Sequence, residues 1–240
     1  MASLSVVIPV LNEEKDLPNC LESLKDLNCE VIVVDSGSTD KTAEIARQYK
    51  AKVVSHNFKN FSDQRNFCDS LASGDWILST EADVIVSKKL SQEIHSAITN
   101  TQYSAYYIER INIIWGKPIM HTNWGPKDDC HIWLYKKGSG KWQSDVHEEY
   151  ISTGKVGKLK ERLVHNNYET VCEFIGKIDK YSEIANKQGA KFPWFQYKID
   201  FLKRYFYKLG FLDGYHGLFL SYLQSIYFIT LSVKTKFKWK

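Results

Sequence analysis

Glu30-Val31-Ile32-Val33-Val34-Asp35-Ser36-Gly37-Ser38-Thr39-Asp40 runs from an unbroken β-branched segment into a polar turn. A short apolar run without alternation reads as a strand buried on both faces. Asp35 stands at its carboxyl end, and Ser38 or Thr39 is available to cap a helix over 41–49. Upstream, Leu4–Val10 has the same character, and Asn12-Glu13-Glu14 opens a helix with Leu17, Cys20, Leu21 and Leu24 at helical spacing. Downstream, 51–55 reads as a third strand, 61–73 as a helix closed by Gly74, and 75–80 as a fourth strand running into Glu81-Ala82-Asp83. Strands alternating with helices in short units predict an α/β fold, a mostly parallel sheet flanked by helices. Ligands bind beyond the carboxyl ends of such strands. Asp35 and Asp83 therefore mark a site by position alone.

The second half is organised differently. Residues 103–114 read as an aromatic-rich strand, 115–124 as loop, 131–136 as a strand, and Gly138-Ser139-Gly140 as a turn. Residues 164–167 end another strand, and 170–188 read as a helix. From Phe192 onward the chain is aromatic and basic.

At 240 residues, 43% hydrophobic and 25% charged, the chain has the profile of a folded globular protein with a sizeable core. A net charge of +4 does not demand a nucleic-acid partner, and no nucleic-acid recognition motif is present. Cys20, Cys29, Cys68, Cys130 and Cys172 are scattered with no Cys-x-x-Cys pair, which favours a reducing, cytoplasmic setting. No basic segment followed by an apolar one opens the chain, so no signal peptide is expected. An uninterrupted apolar run of about 20 residues, as a membrane span requires, is also lacking.

Ser5-Val6-Val7-Ile8-Pro9 followed by Leu11-Asn12-Glu13-Glu14 resembles the opening of glycosyltransferase family 2. Val33-Val34-Asp35-Ser36-Gly37-Ser38-Thr39-Asp40-Lys41-Thr42 resembles the second signature of that family, and Gly74-Asp75-Trp76-Ile77-Leu78 leading to Glu81-Ala82-Asp83 the run before its metal-binding Asp-x-Asp motif. Within the family the chain is similar to bacterial enzymes that add sugars to the lipopolysaccharide core. The segments that carry this are Val146-His147-Glu148, Val164-His165, Tyr181-Ser182 and Lys208-Leu209-Gly210-Phe211-Leu212-Asp213-Gly214.

The resemblance implies a Rossmann-like GT-A catalytic domain over 1–190, its donor half 1–100 and its acceptor half 101–190. A helical extension follows over 191–240. It also implies a nucleotide-diphosphate sugar donor, UDP-linked by default, a divalent cation (Mg²⁺ or Mn²⁺), and inversion at the anomeric carbon. Pro9 and Glu13 would then lie at the nucleotide, Asp35 at the base or ribose, Glu81 at the ribose or metal, and Asp83 on the metal. Glu148 occupies a position suited to the catalytic base. The family usually has Asp where this chain has Glu81, and an acidic residue where it has Val84.

The chemistry accounts for these residue types. Hard cations that neutralise a diphosphate prefer carboxylate oxygen, as Asp83 supplies. His165 could add an imidazole, which suits Mn²⁺, or be a hydrogen-bonded strand-edge histidine. Inversion needs a base opposite the leaving group; Glu148, or its neighbours Asp145 and Glu149, could serve, unless 145–149 is only a charged loop. Asp40 reads as structural. Arg65, preceded by Gln64, could approach the pyrophosphate or form a surface ion pair. Trp115, Trp124 and Trp133 could stack on sugar or pack in the core. The cluster His121, Asp128, Asp129, Cys130, His131 fits no common zinc spacing.

Lys198, Lys203, Arg204, Lys208, Lys234, Lys236, Lys238 and Lys240 lie among the tail aromatics, and 218–233 is apolar but interrupted by Ser221, Gln224, Ser225 and Thr230. This reads either as an element lying on anionic lipid at the inner face of the cell membrane, beside a glycan or lipid-linked acceptor, or as a helix packed on the catalytic domain. Glu81 in place of Asp keeps open a second class, a catalytically inactive nucleotide-sugar-binding or interaction protein of the same fold.

Overall fold

The structure is a computed structural model, described here for residues 2–99, 101–144 and 148–237. The chain divides into two compact units, residues 1–110 with 130–165 and residues 111–129 with 166–240.

In the first unit, β1 (Leu4–Val10), β2 (Glu30–Asp35), β3 (Lys52–Ser55) and β4 (Trp76–Ser79) form a parallel set in the order β3-β2-β1-β4. Val6, Val7, Ile8, Ile32, Val33, Val34, Ile77 and Leu78 are all buried, so successive residues on both faces are covered. That is why these strands read as continuous apolar runs. Connecting them are α1 (Leu17–Ser23), α2 (Thr42–Gln48) and α3 (Phe61–Leu71). Helix α3 ends at Leu71, with Ala72 as its extended cap, earlier than the Gly74 expected to close it. Gly74 lies in the bend before β4, where a Cβ would sit 2.8 Å from the Ser5 nitrogen.

Beyond β4 the sheet changes direction. After β5 (Val84–Ile85) and α4 (Lys88–Ile98) come β6 (Ala105–Ile114), β7 (Lys117–Pro118) and β8 (Cys130–Lys136). β8 lies antiparallel between β4 and β6. β9 (Gly140–Gln143) and β10 (Glu149–Ser152) form a separate antiparallel pair. β11 (Val156–Lys158) runs parallel to β6, and β12 (Leu163–Tyr168) pairs antiparallel with β5, setting His165 opposite Val84. The parallel arrangement read from the sequence thus belongs to the first four strands, and the sheet as a whole is mixed.

Three further local expectations are corrected. The first helix begins at Leu17 rather than Asn12, because Asn12 takes a left-handed φ of +58° and its Oδ1 accepts the Thr39 N–H. Ser38 and Thr39 do not cap α2: the Ser38 hydroxyl donates to Asp35 Oδ1, and Asp40 Oδ1 accepts the Thr42 N–H instead. The loop at 115–124 contains the short strand β7, paired with the end of β6.

The second unit has its own core of Ile114, Ile119, Tyr168, Phe174, Ile178 and Leu220. Its helices are α5 (Val171–Lys187), opened by a Thr170–Glu173 capping box, then α6 (Gln196–Leu202), which continues as a π-turn over Lys203–Tyr207, and α7 (Tyr215–Lys236). The Lys208–Gly214 segment is a lock. Asp213, buried, accepts from the backbone N–H groups of Met120 and His121 and lies 3.1 Å from His121 Nδ1. A Cβ on Gly217 would fall 1.8 Å from the Gly210 carbonyl oxygen, so the first turn of α7 meets this segment backbone to backbone. Among the described residues no helix is long and apolar enough to cross a membrane.

Candidate functional site

The carboxyl ends of β1, β2 and β4 and the loops after them build the site. After β1, Glu13 donates its N–H to Thr42 Oγ1 and Glu14 to Asp40 Oδ2, while Asn12 donates to Ser38 Oγ. The turns following β1 and β2 are therefore laced together, with Pro9 paired to Val34 just inside them. Asp40 is part of that lacing, as expected of a structural residue. Asp35, 6% exposed, turns Oδ1 back to accept from the Gly37 and Ser38 N–H groups and the Ser38 hydroxyl. Its other oxygen makes no hydrogen bond among the described residues. Gln64 on α3 reaches Ser36 Oγ at 3.0 Å and His56 Nδ1 at 2.9 Å, tying the helix to this turn.

The acidic turn after β4 holds the second cluster. One ligand atom from each of Glu81, Asp83 and His165 lies within 4.8 Å of the others. His165 Nε2 is 3.1 Å from Asp83 Oδ2 and 4.0 Å from Glu81 Oε2. Asp83 Oδ1 is buried with no hydrogen-bond partner. A buried carboxylate oxygen left this way carries a desolvation cost that a cation would relieve. Two carboxylates and an imidazole are a suitable donor set for Mn²⁺ or, through the oxygens, Mg²⁺.

Beneath that turn runs a buried charge network. Arg65 donates from Nη2 to Glu81 Oε1 at 2.6 Å, from Nε to Glu148 Oε1 at 2.8 Å, and from Nη1 to Ser79 Oγ at 2.9 Å. Its guanidinium also stacks near Trp142 and Trp133, 4.7 and 5.1 Å from the ring centres. Burial alone would lower the Arg65 pKa, but Glu81 and Glu148 outweigh it and raise it. Arg110 completes the network, donating to Glu81 Oε2 at 2.8 Å. Burial would raise the Glu81 carboxyl, but Arg110 first, then Arg65 and His165, hold it well below the usual carboxylate range. Glu81 stays charged at any ordinary pH, with each oxygen bound to a different arginine.

The predicted residues fall into three groups. Glu81, Asp83 and His165 come together, and Arg65 joins Glu81 to Glu148. Asp35, Glu13 and Pro9 cluster at the ends of β1 and β2. Arg65 is 3% exposed, so a surface ion pair does not describe it. Glu149 is exposed on β10, and Asp145 lies outside the described residues. Trp133 packs against Arg65 and Arg110, whereas Trp115 and Trp124 pack around Phe174 in the core of the second unit. His121, Asp128 and Asp129 are engaged with Asp213, Lys208 and Asn112.

Arg110, Ser79 and Trp142 were not foreseen. Arg110 had a signal, two adjacent charges, Glu109-Arg110, inside a mostly apolar and aromatic strand. Trp142 had none: it is placed by a two-way hydrogen bond with Asn66, its N–H to Asn66 Oδ1 and Asn66 Nδ2 to its carbonyl.

Comparison with known proteins gives the fold and the family. An uncharacterized glycosyltransferase of Rickettsia conorii is 30% identical over 97% of this chain and 92% of its own length. The lipopolysaccharide core biosynthesis glycosyltransferase LpsC of Rhizobium meliloti is 28% identical over 88% of this chain and 82% of its own. The structure of S. aureus TarS 1–349 superposes with a TM-score of 0.52 at 16% identity, covering 99% of this chain and 75% of that one. Glucosyl-3-phosphoglycerate synthase from Mycobacterium tuberculosis, crystallised with Mn²⁺, uridine diphosphate and glucosyl-3-phosphoglycerate, gives 0.51 at 16% identity over 80% and 82%. At such identities the likeness to these two shows the fold, which is GT-A. The family profile Glycosyl transferase family 2 matches residues 5–155, and on that match the chain belongs to this family of glycosyltransferases.

Proposed function

We propose that the enzyme transfers a sugar, with inversion, from a UDP-sugar to a hydroxyl of a glycan or lipid-linked acceptor in lipopolysaccharide or related envelope polysaccharide synthesis. The observation that carries the donor half is Asp83 Oδ1, buried and without a hydrogen-bond partner beside Glu81 and His165. Asp83 and His165 would hold a divalent cation, with Glu81 adding charge behind them. When bound, the cation neutralises the diphosphate leaving group. Asp35, Glu13 and Pro9 would border the nucleoside, since Asp35 keeps one oxygen outside its own turn.

Glu148 is the proposed base. Arg65 holds its Oε1, and Oε2 makes no hydrogen bond among the described residues, which leaves it able to take the proton of an acceptor hydroxyl. Arg65 in this reading positions both carboxylates and does not itself reach the pyrophosphate. The name of the Rhizobium relative supports the envelope acceptor, and the basic, aromatic tail supports work at the inner face of the cell membrane, in peripheral contact with anionic lipid.

The test is turnover of UDP-hexoses with Mn²⁺, alongside Mn²⁺-dependent UDP binding followed as a thermal shift. Asp83→Asn should remove the metal-dependent shift and lower kcat by about 10²–10³-fold. Turnover that needs no metal and survives Asp83→Asn unchanged would overturn the assignment.

A further inference from the structure

Helix α7 is built inside out for a helix in water. Tyr215, Phe219, Tyr222, Ile226, Ile229 and Val233 recur at intervals of four and three, so they form one stripe along the helix. Five of the six are exposed, Tyr215 at 80%, and Ile226 is half-buried. The buried side carries Gly217, Ser221 and Ser225 together with Leu220 and Leu231. A helix packed on a protein core normally does the reverse.

The preceding segment repeats the pattern. Phe195, Ile199, Leu202 and Phe206 recur at intervals of four, three and four and are all exposed, while Asp200 is buried. Phe211 and Leu212, in the turn before α7, are exposed as well. Three successive elements thus each present their large apolar side chains outward, far beyond the scattered apolar residues of an ordinary surface.

Charge identifies what covers them. Lys198 and Lys203 flank the α6 stripe on either side, are exposed, and make no ion pair among the described residues. Lys198 lies over the rings of Trp194 and Tyr197, which keeps its ammonium at the level of the aromatics. The acids of this segment, Asp200 and Asp213, are buried and paired with Arg204 and His121. Among the described residues from 192 onward no carboxylate is exposed. The acids of α5 that meet α7, Asp179 and Glu183, are paired with its Lys234. Aromatics with a basic fringe suit the boundary between anionic headgroups and acyl chains, and α7, about 33 Å long at 1.5 Å per residue, would lie along that boundary.

We infer that α6, the turn at 207–213 and the outer stripe of α7 dock on an anionic phospholipid bilayer, with Phe195, Leu202, Phe206, Phe219 and Tyr222 entering the interface. The inference deepens the membrane-peripheral part of the proposed function and rests on it. It does not depend on the donor site.

The full chain is to be sedimented with phosphatidylglycerol-rich vesicles and with pure phosphatidylcholine vesicles. Binding should be strong to the first and at least tenfold weaker to the second. Phe219→Ser with Tyr222→Ser, and separately Lys198→Glu with Lys203→Glu, should each lower partitioning at least tenfold. All variants should keep the wild-type thermal shift with UDP and Mn²⁺, which reports the fold and the donor site independently. No vesicle binding by a protein that gives that shift would overturn the inference and leave the donor reading standing. So would a dimer in analytical ultracentrifugation that Phe219→Ser with Tyr222→Ser dissociates while vesicle binding is unaffected, for the stripe would then be covered by a second copy.

Discussion

Helices α3 and α7 both bury polar side chains, for opposite reasons. On α3 the buried Gln64 and Arg65 meet groups from other elements: Ser36, His56, Ser79, Glu81 and Glu148. On α7 the buried Ser221 and Ser225 return their hydroxyls to their own helix, at the carbonyls of Gly217 and Tyr222. A buried polar residue whose partners come from elsewhere in the fold marks a place where the fold converges on a site. One whose partner is its own backbone marks a helix whose apolar face has been turned to another use.

The comparison breaks most readily at Arg65. If its burial is sustained by Glu81 and Glu148, Arg65→Met should strand Glu148, leave Glu81 with Arg110 as its one arginine and cost about 3–5 kcal/mol, the range for removing one partner of a buried ion pair. Chemical denaturation should show the loss as a lower midpoint with an unchanged slope. A loss under about 1 kcal/mol, the scale of exposed pairs, would mean that the network relaxes into water and organises nothing. Double substitution with Glu148→Gln should recover part of the loss, because it removes the stranded charge.

How much of this was legible follows the same division. Asp35 and Asp83 could be placed because a strand buried on both faces is a local apolar run: Asp35 ends β2, and Asp83 lies in the turn four residues beyond β4. The pairing of Arg65 with Glu148 could not, since it joins residues 83 positions apart through strands whose order is set only by packing. Arg110 escaped because β6 was read for its aromatics. In the tail, the interruptions at Ser221 and Ser225 looked like polar breaks in an apolar helix. Only the fold shows that they lie on the covered side, made possible by the close backbone approach at Gly217.

A third polar residue of α3 sharpens the comparison with a pH dependence. Asp69 accepts the Tyr135 hydroxyl at 2.8 Å, and burial pushes its carboxyl up to about 7 against the lowering effect of that bond. The unfolded chain releases this proton near pH 4. Between those values the native state holds a proton that the unfolded state has lost, so stability falls as pH rises from about 4 to 7 and stays lowered above. Asp69→Asn keeps an acceptor for Tyr135 and has no charge to bury. Because Asp69 is only half-buried, the gain above pH 7 should be modest, about 1–2 kcal/mol. Melting temperatures measured from pH 4 to 8 should show a downward slope in the wild type that the variant flattens. Parallel slopes would mean that Asp69 ionises freely.

The smallest effect belongs to α7 and closes the contrast. Ser221 is fully buried, yet among the described residues its hydroxyl is bonded only to the Gly217 carbonyl, one turn back in the same helix. In Ser221→Ala that carbonyl still accepts the helical N–H of residue 221, so no acceptor is orphaned. The lost hydroxyl bond, about 0.5–1.5 kcal/mol, is offset by the higher helix propensity of Ala, about 0.5 kcal/mol, and by the end of desolvating an O–H. The net change should lie within about 0.5 kcal/mol, beside several for Arg65 at similar burial. A large loss at Ser221 would show that its hydroxyl has a partner beyond its own helix, and α7 would then resemble α3 rather than oppose it.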